Sequence, residues 1–328
     1  MKLAEAGELS LVEKIRQKFN RRFPDVICGI GDDSAVVRPS RKNMLLTTDM
    51  MVERVHFDLA WTTPFQLGFK LISVNVSDIY AMGGSPRFAL INFAAPGDAG
   101  TEMFKRVFDG IERAARIYDV AVIGGDVSSS ENVVLSASMV GYASRVLTRG
   151  GARTGDGIYV SGPLGDAACG LELMKRVGRP VEIEKGKKAD FGLEWRVVSP
   201  LISRHLMPRA TGPEKFARRA TAMLDVSDGL LMDLSRLCRE SGVGAVIETQ
   251  NIPISGELRR AAAHMKISAV EMAMGGGEDY RLLFTAPEGA GGDAFHIGRI
   301  GGRGLRAVDE EGRMHRLEIK GYQHFASA

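Results

Sequence analysis

Aspartate recurs in this 328-residue chain at the ends of apolar, largely β-branched runs, beside glycine, serine or threonine. Carboxylate oxygens are ligands that Mg²⁺ prefers, and clustered aspartates cannot all stay ionised without cations. No G-x-x-x-x-G-K-[ST] run occurs in the sequence, so phosphate binding by a P-loop lysine is excluded. We therefore expect a Mg²⁺-rich site for a polyphosphate at one edge of the fold. The five runs are GIGDDSAVV (29–37), LLTTD (45–49), SVNVSD (73–78), VIGGD (122–126) and MLDVSDG (223–229).

Each acidic run also has a structural interpretation, because aspartate beside glycine or serine is more often a cap or turn residue than a ligand. Repetition of the pattern favours the metal interpretation over five unrelated caps. The candidate metal ligands from the residues alone are Asp33, Asp49, Asp78, Asp126 and Asp225, with Thr47, Thr48 and Ser227 as further sources of hydroxyl or carbonyl oxygen.

Glycine-rich turns and one arginine are candidates for contact with the phosphates themselves. Glycine lets the backbone approach a phosphate closely, and the helix start after Gly165 offers free N–H groups. Arg149, within LTRGGARTGD, is a candidate phosphate clamp or an ordinary surface arginine. Direct phosphoryl transfer relies on positioning and cations rather than on a protein nucleophile, so we assign no catalytic side chain.

Composition and charge argue against several other classes of protein. Hydrophobic residues make up 45% of the chain and charged residues 25%, which is typical of a globular protein with a large core. A net charge of +3 with dispersed basic residues gives little support for nucleic-acid binding. The lack of a signal-peptide core and of a long uncharged apolar segment predicts a cytoplasmic protein with no membrane span.

Hydrophobic periodicity predicts helices and strands that alternate along the whole chain, as in α/β or α+β proteins. A helix is expected to open at Pro64 and to run toward Ala81. Asn75 and Asp78 are three residues apart on this helix and therefore share a face. A short buried strand is expected to end at Gly124.

Turn signals between Ser144 and Arg153 predict a boundary between two domains, residues 1–148 and residues 149–328. The second half repeats the alternation of strands and helices. Its polar stretch Glu182–Asp190 predicts a surface loop.

Eight segments, in order along nearly the whole chain, carry a resemblance to a known protein family. They are GIGDD (29–33), TTDMMVERVHF (47–57), VNVSDIYAMGG (74–84), IGGD (123–126), LTRGGARTGD (147–156), DVSDG (225–229), GGGEDYRLLF (275–284) and GYQHF (321–325). Together they resemble the thiamine-monophosphate kinases of the aminoimidazole ribonucleotide synthetase-like superfamily. GGGED and the pairing of TTD with HF favour this family over its relatives.

The resemblance implies ATP-dependent phosphorylation of thiamine monophosphate to thiamine diphosphate, by direct in-line transfer of the γ-phosphate. It implies a two-domain fold, with an N-terminal α/β domain for metal, ATP and dimerisation and a C-terminal α/β domain. The N-terminal sheet would pair with that of a second copy into a barrel, so a homodimer is expected. Several Mg²⁺ ions and ATP as co-substrate would lie in a cleft between the domains.

Carried over by position, the resemblance implies three groups of site residues. The implied metal ligands are Asp33, Thr47, Thr48, Asp49, Asp78, Asp126, Asp225 and Asp228. The implied nucleotide contacts are Gly125, Asp126, Arg149 and Ser227. The implied thiamine contacts are His56, Glu278 and Tyr322, where a carboxylate and an aromatic face suit the cationic thiazolium. One position departs from the pattern, because the tyrosine that some members use for adenine falls at Asp109.

Three related enzymes and one class of non-enzyme are the alternatives. Aminoimidazole ribonucleotide synthetase shares the acidic scaffold but uses ATP to activate an amide oxygen. Selenophosphate synthetase would need a reactive cysteine or selenocysteine in a glycine-rich loop, whereas Cys28 lies in the apolar run VICGI. The hydrogenase-maturation relative needs a C-terminal cysteine, and this sequence ends in FASA. A non-catalytic nucleotide-binding scaffold is disfavoured, because unused clustered carboxylates would destabilise the fold.

Overall fold

The computed structural model describes residues 1–30, 34–309, 311–318 and 321. The chain divides into two compact units. The first comprises Met1–Ile79, Gly84–Ser144 and Gly178–Lys187, and the second comprises Tyr80–Gly83, Arg145–Val177 and Lys188–Ala328. The change of unit after Ser144 falls in the interval that the turn signals favour. The division into 1–148 and 149–328 remains a prediction, and it does not anticipate the return of Gly178–Lys187 to the first unit.

The first unit is built around a four-stranded sheet. Its elements in chain order are α1 (Leu3–Ala6), α2 (Glu8–Lys18), β1 (Val26–Cys28), β2 (Val36–Val37), β3 (Asn43–Val52), α3 (Pro64–Ala81), β4 (Ser85–Ala95), α4 (Thr101–Tyr118), β5 (Ala121–Ser129) and β6 (Val134–Ala143). Strands β1 and β2 pair separately, and the sheet has the order β3-β6-β4-β5. Strand β6 runs antiparallel to β3 and β4, whereas β4 and β5 are parallel. Strands β3 and β5 are therefore the two edges of this sheet.

The two faces of the sheet differ in burial. On β3 the side chains of Leu45 and Met51 are 8% and 4% exposed, whereas those of Leu46 and Met50 are 72% and 57% exposed. This period of two is the alternation expected of a strand that covers a core on one face only. The uncovered face carries these exposed apolar side chains together with Leu90 of β4. Several exposed apolar side chains on one face favour a contact surface.

Helices α3 and α4 approach each other at two glycines. A Cβ atom on Gly68 would lie 1.9 Å from the carbonyl oxygen of Val107, and one on Gly110 would lie 1.9 Å from that of Phe65. No other residue type fits at either position, because every larger side chain carries that atom. The close contact fixes α3, whose bounds agree with the helix that the sequence predicts.

One predicted strand boundary is wrong. Strand β5 does not end at Gly124 but continues to Ser129, because β4 pairs with it over its length from Phe88↔Ala121 to Ala95↔Ser129. The glycines interrupt the apolar pattern without ending the ladder. Asp126 consequently lies inside a strand.

The second unit contains a seven-stranded mixed sheet with helices. Its elements are β7 (Gly157–Val160), α5 (Asp166–Val177), α6 (Trp195–Leu206), β8 (Ala222–Asp225), α7 (Leu230–Ser241), β9 (Ala245–Glu248), α8 (Gly256–Met265), α9 (Ala269–Gly275), β10 (Leu282–Ala286), β11 (Phe295–Ile300), β12 (Leu305–Val308) and β13 (Met314–Arg316). The strand order is β13-β12-β9-β11-β7-β10-β8. Pairing is antiparallel except between β9 and β12. Within the described residues, no helix combines the length and the apolar character that crossing a membrane requires.

Segment Gly178–Lys187 is anchored within the first unit by a buried carboxylate. Glu184, whose side chain is 7% exposed, accepts hydrogen bonds of 3.0 Å from Nε2 of Gln66 and Nη2 of Arg106. Nε2 of Gln66 also donates to the carbonyl oxygen of Val181 at 2.7 Å. The predicted surface loop therefore has a fixed centre, because the Glu184 carboxylate accepts from both Gln66 on α3 and Arg106 on α4.

Replacing Glu184 by alanine is expected to destabilise the protein by about 1–3 kcal/mol, because it leaves two polar groups without their acceptor. The expected result is a melting temperature lower by several degrees, at roughly 2–4 °C per kcal/mol. Glu182→Ala is the matched control, since in the described part of the chain the Glu182 carboxylate pairs with the exposed Lys185 and Lys187. Equal melting temperatures for the two variants would contradict the anchoring role.

Candidate functional site

Four polar residues meet where β3 lies against α3 in the first unit. Alternation along β3 directs Thr47 and Asp49 to the same face, toward the helix. Oγ1 of Thr47 donates a hydrogen bond of 2.5 Å to Oδ2 of Asp78. The backbone N–H of Asp49 donates one of 3.2 Å to Oδ1 of Asn75. The predicted shared face of Asn75 and Asp78 is thus the face that contacts the strand.

The two carboxylates of this locus raise each other's electrostatic energy. Burial, followed by the negative charge of Asp78, raises the pKa of Asp49 to about 7. A carboxylate pair in a largely buried place is stabilised as two anions only by nearby positive charge. Oxygen ligands of this kind, together with the Thr47 hydroxyl, fit a hard divalent cation such as Mg²⁺.

Thr48 and Asp126 lie on the opposite, exposed face of the same sheet. The hydroxyl of Thr48 donates to the carbonyl oxygen of Ala137 at 3.1 Å. Only the main chain of Thr48, and not its hydroxyl, therefore lies close to Asp49. Asp126 belongs to a cross-strand row on the exposed face, through Met50, Ser136, Asn92 and Asp126. Three strand spacings, roughly 14 Å, separate its strand from β3. One copy of the chain therefore does not bring Asp126 to Asp49.

Gly125 is required by the fold itself. Its φ is +144°, and a Cβ atom there would lie 1.7 Å from the carbonyl oxygen of Ile91 on β4. The approach of the two strands therefore explains this glycine without a ligand. Its predicted contact with a nucleotide stays a prediction.

Two predicted site residues, Asp33 and Tyr322, lie outside the described residues. Within the described part of the chain, no three His, Cys, Asp or Glu side chains gather closely enough to hold a metal ion. The predicted cluster of metal ligands therefore remains a prediction, and the described residues contribute the pair Asp49 and Asp78 to it.

In the second unit, the loop DVSDG (225–229) follows β8. Asp225 ends that strand and is 4% exposed. The backbone N–H groups of Ser227 and Asp228 donate hydrogen bonds of 3.1 and 3.0 Å to Oδ2 of Asp233. Nη1 of Arg236 contacts the carboxylates of both Asp228 and Asp233. Asp228 is thus paired with the guanidinium of Arg236. A metal ion bound by Asp228 would have to share this carboxylate with Arg236 or displace the guanidinium.

Asp233 is a residue that the sequence analysis did not identify. Its side chain is 1% exposed, and burial followed by the charge of Asp228 raises its pKa to about 6. Asp233 shapes the loop that carries Ser227 and Asp228, since it accepts both of their N–H groups. A sequence signal existed in its position in the first turn of α7, where acidic residues bind free N–H groups.

Glu278 lies in a strained segment of the second unit. Its φ is +68° and that of Tyr280 is +48°, which is uncommon for residues other than glycine. Between them, the fully buried Asp279 accepts hydrogen bonds from the backbone N–H groups of Gly165 and Ala167. Oε2 of Glu278 lies 3.0 Å from Nδ1 of His205, a residue of α6 that the sequence analysis did not select. Backbone strain kept in a folded protein is often associated with a functional site.

His56 lies at the end of β3, in a turn at which Arg54 has a φ of +64°. Its Nδ1 accepts a hydrogen bond of 3.1 Å from the backbone N–H of Val52. In the neutral imidazole Nε2 therefore carries the proton. Arg149 is exposed, and its carbonyl oxygen accepts a hydrogen bond from Ser241. His56 belongs to the first unit, whereas Arg149 and Glu278 belong to the second, and each keeps its role as a prediction.

Comparison with protein-family models matches nearly the whole described chain to one family. Residues 31–143 match "AIR synthase related protein, N-terminal domain", and residues 153–309 match "AIR synthase related protein, C-terminal domain". The gap between the two matches includes the change of unit after Ser144.

Curated relatives narrow this assignment. The chain is 38% identical to the thiamine-monophosphate kinase of Aquifex aeolicus, over 99% of this chain and 100% of the relative. It is 32% identical to the thiamine-monophosphate kinase of Escherichia coli K12, over 98% and 99% of the two chains.

Solved structures agree with the curated relatives. The structure titled "AaThiL complexed with AMPPCP and TMP" has a TM-score of 0.78 at 37% identity and covers 99% of both chains. The thiamine-monophosphate kinase of Stenotrophomonas maltophilia K279a has a TM-score of 0.79 at 32% identity, over 94% of this chain and 97% of that one. The hydrogenase maturation protein HypE has a TM-score of 0.71 at 17% identity, which shows a shared fold only. The chain therefore belongs to the thiamine-monophosphate kinases, a family of kinases within the AIR synthase-related proteins.

Proposed function

We propose that this protein transfers the γ-phosphate of ATP to the phosphate of thiamine monophosphate, giving ADP and thiamine diphosphate. The observation that carries the proposal is similarity over the full length of the chain to thiamine-monophosphate kinases, at 38% identity in one relative. The related structure with AMPPCP and TMP supports both substrates, because its chain is covered along 99% of its length.

The transfer proceeds in line between two phosphates, with Mg²⁺ supplying the positive charge that neutralises their oxygens. Asp49 and Asp78 would hold this cation in the first unit, with Thr47 oriented by Asp78. Asp225 and Asp228 would serve the same purpose in the second unit. The chain contributes position and negative charge for the cations, and no side chain becomes covalently bound to phosphate.

The thiamine moiety is a cation and requires groups of complementary character. Glu278 offers a carboxylate whose side chain is 31% exposed. His56 is a further implied thiamine contact, and its Nδ1 accepts a hydrogen bond from the backbone N–H of Val52. Tyr322 would add an aromatic face to the thiazolium.

A homodimer completes the proposed site. Both edges of the first unit's sheet, β3 and β5, are open to pairing in the described chain, and exposed strand edges invite another strand. Pairing of β5 with the β3 edge of a second copy would bring Asp126 near Thr48 of that copy, whose main chain adjoins Asp49. The apolar face that carries Leu46 and Met50 would then be covered in the resulting barrel.

The reaction can be tested with purified protein, ATP, Mg²⁺ and thiamine monophosphate. Equal amounts of ADP and thiamine diphosphate are expected, with activity lost on addition of EDTA and restored by excess Mg²⁺. Anion exchange chromatography of the products measures both. Release of free phosphate without thiamine diphosphate would contradict the proposed reaction.

Sharing of the site can be tested with two variants, Asp49→Asn and Asp126→Asn, each expected to be inactive. A mixed dimer, isolated with two different affinity tags, carries one intact site if Asp49 and Asp126 come from different copies. It is expected to regain about half of the wild-type activity per dimer. A mixed dimer as inactive as its parents would show that each site is formed within one copy.

The apolar face can be tested with Leu46→Asp. A charge on a side chain that is 72% exposed costs a single copy little, but it would be buried in the barrel. We expect sedimentation to report a monomer, with activity lost. Leu9→Asp is the control, since Leu9 is 85% exposed on α2. A Leu46→Asp protein that remains dimeric and active would exclude this face as the interface.

A further inference from the structure

One guanidinium connects helix α7 to the loop that precedes it. Nη1 of Arg236 donates hydrogen bonds to Oδ2 of Asp228 in the loop and, at 2.9 Å, to Oδ1 of Asp233 on the helix. Arg236 and Asp233 are three residues apart and therefore share a face of α7. Both hydrogen bonds leave the same nitrogen atom. Neither carboxylate is therefore held by the two-nitrogen fork that makes arginine–carboxylate pairs strong.

The two carboxylates differ in how firmly they are held. The side chain of Asp233 is 1% exposed, and its Oδ2 also accepts the backbone N–H groups of Ser227 and Asp228. The side chain of Asp228 is 26% exposed, and in the described part of the chain its carboxylate accepts from Arg236 alone. Turning Asp233 would leave two backbone donors without their acceptor, which is costly in a buried place. Asp228 can turn about its own side-chain bonds while its N–H stays on Asp233.

The charges at this place are not balanced. The carboxylates of Asp228 and Asp233 share one guanidinium, and each carboxylate disfavours the ionised form of the other. A divalent cation bound by Asp228 would repel the positive charge of Arg236. If Arg236 then kept Asp233 alone, each carboxylate would have a cation of its own. The side chain of Arg236 is partly exposed, so water can solvate the N–H group that loses Asp228.

We propose that Arg236 is a positioning residue that exchanges with a divalent cation on Asp228. Arg236 holds the Asp228 carboxylate until the cation binds, and it then keeps Asp233 alone. This inference rests on the proposed function, in which Asp228 holds a cation. The backbone of the loop does not move in the exchange, because Asp233 keeps the N–H groups of Ser227 and Asp228. Competition with Arg236 consequently weakens the binding of the cation.

Crystal structures of the wild-type protein test the exchange directly. One is determined in EDTA and one with Mn²⁺ and a non-hydrolysable ATP analogue, where anomalous scattering locates the ions. With Mn²⁺ on Asp228, we expect Nη1 of Arg236 to lie beyond hydrogen-bond range of Asp228 and to remain within it of Asp233. Arg236 still bonded to Asp228 beside a bound ion would overturn the proposal. So would a bound nucleotide analogue with no ion on Asp228.

Titration with Mn²⁺, followed by paramagnetic resonance, measures the competition. Arg236→Gln removes the competing charge, so we expect it to bind Mn²⁺ about tenfold more tightly at one site, since a hydrogen bond to a charged group need not be broken. Arg236→Lys keeps the charge and is expected to bind nearly as the wild type does. Arg239→Gln is the matched control, an exposed arginine of the same helix, and is expected to change nothing. Equal affinities for Arg236→Gln and Arg239→Gln would overturn the proposal.

A double-mutant cycle separates the exchange on Asp228 from a general effect of charge or folding. If Arg236 acts through Asp228, adding Arg236→Gln to Asp228→Asn is expected to tighten Mn²⁺ binding no further. An equal gain in the two backgrounds would overturn the exchange. Melting temperatures in EDTA identify any variant that fails to fold, and the two wild-type crystal structures carry the test in that case.

These measurements distinguish a failure of the exchange from a failure of the proposed function, because none of them requires turnover. Exchange of Arg236 for Mn²⁺ in a protein that makes no thiamine diphosphate would support the exchange and refute the acceptor. An active enzyme in which Arg236 stays on Asp228 would overturn the exchange and leave the proposed reaction intact.

Discussion

The proposed chemistry depends on one constraint, the burial of Asp49 beside the carboxylate of Asp78, since both effects raise the pKa of Asp49. The contact between β3 and α3 holds both groups in a largely buried locus, with Thr47 on one carboxylate and Asn75 on the backbone of the other. The close packing of α3 on α4 prevents the helix from moving away. In the proposed function, a cation held by this arrangement would take the place of the lysine of a P-loop.

The sequence predicted the pieces of this site better than their arrangement. Helix α3 could be read from its proline start and its periodicity, and the shared face of Asn75 and Asp78 followed from helical geometry. The opposite faces of Asp49 and Asp126 could not, because they depend on the register of four strands and on the bulge between β4 and β5. A run that ends in aspartate does not reveal whether the strand ends there too.

The second unit shows a different limit of sequence reasoning. Asp225 and Asp228 stood out in DVSDG, but the residue that shapes this loop is Asp233, in the helix that follows. Similarly, GGGED drew attention to Glu278, whereas the contact with His205 joins positions far apart in the chain. Side chains that orient other side chains have no local motif, because their role exists only after folding. The proposed identity of the phosphate acceptor comes from the family resemblance, because the carboxylates alone do not identify it.

We propose that carboxylates on β3 and α3 hold divalent cations for phosphate transfer. Paramagnetic resonance of Mn²⁺, used in place of Mg²⁺, measures this directly in the presence of a non-hydrolysable ATP analogue. We expect the wild-type protein to bind Mn²⁺ and Asp78→Asn to bind fewer ions, with a melting temperature in the absence of metal no lower than that of the wild type, because the substitution relieves repulsion on Asp49. Equal numbers of bound ions in the two proteins would contradict it.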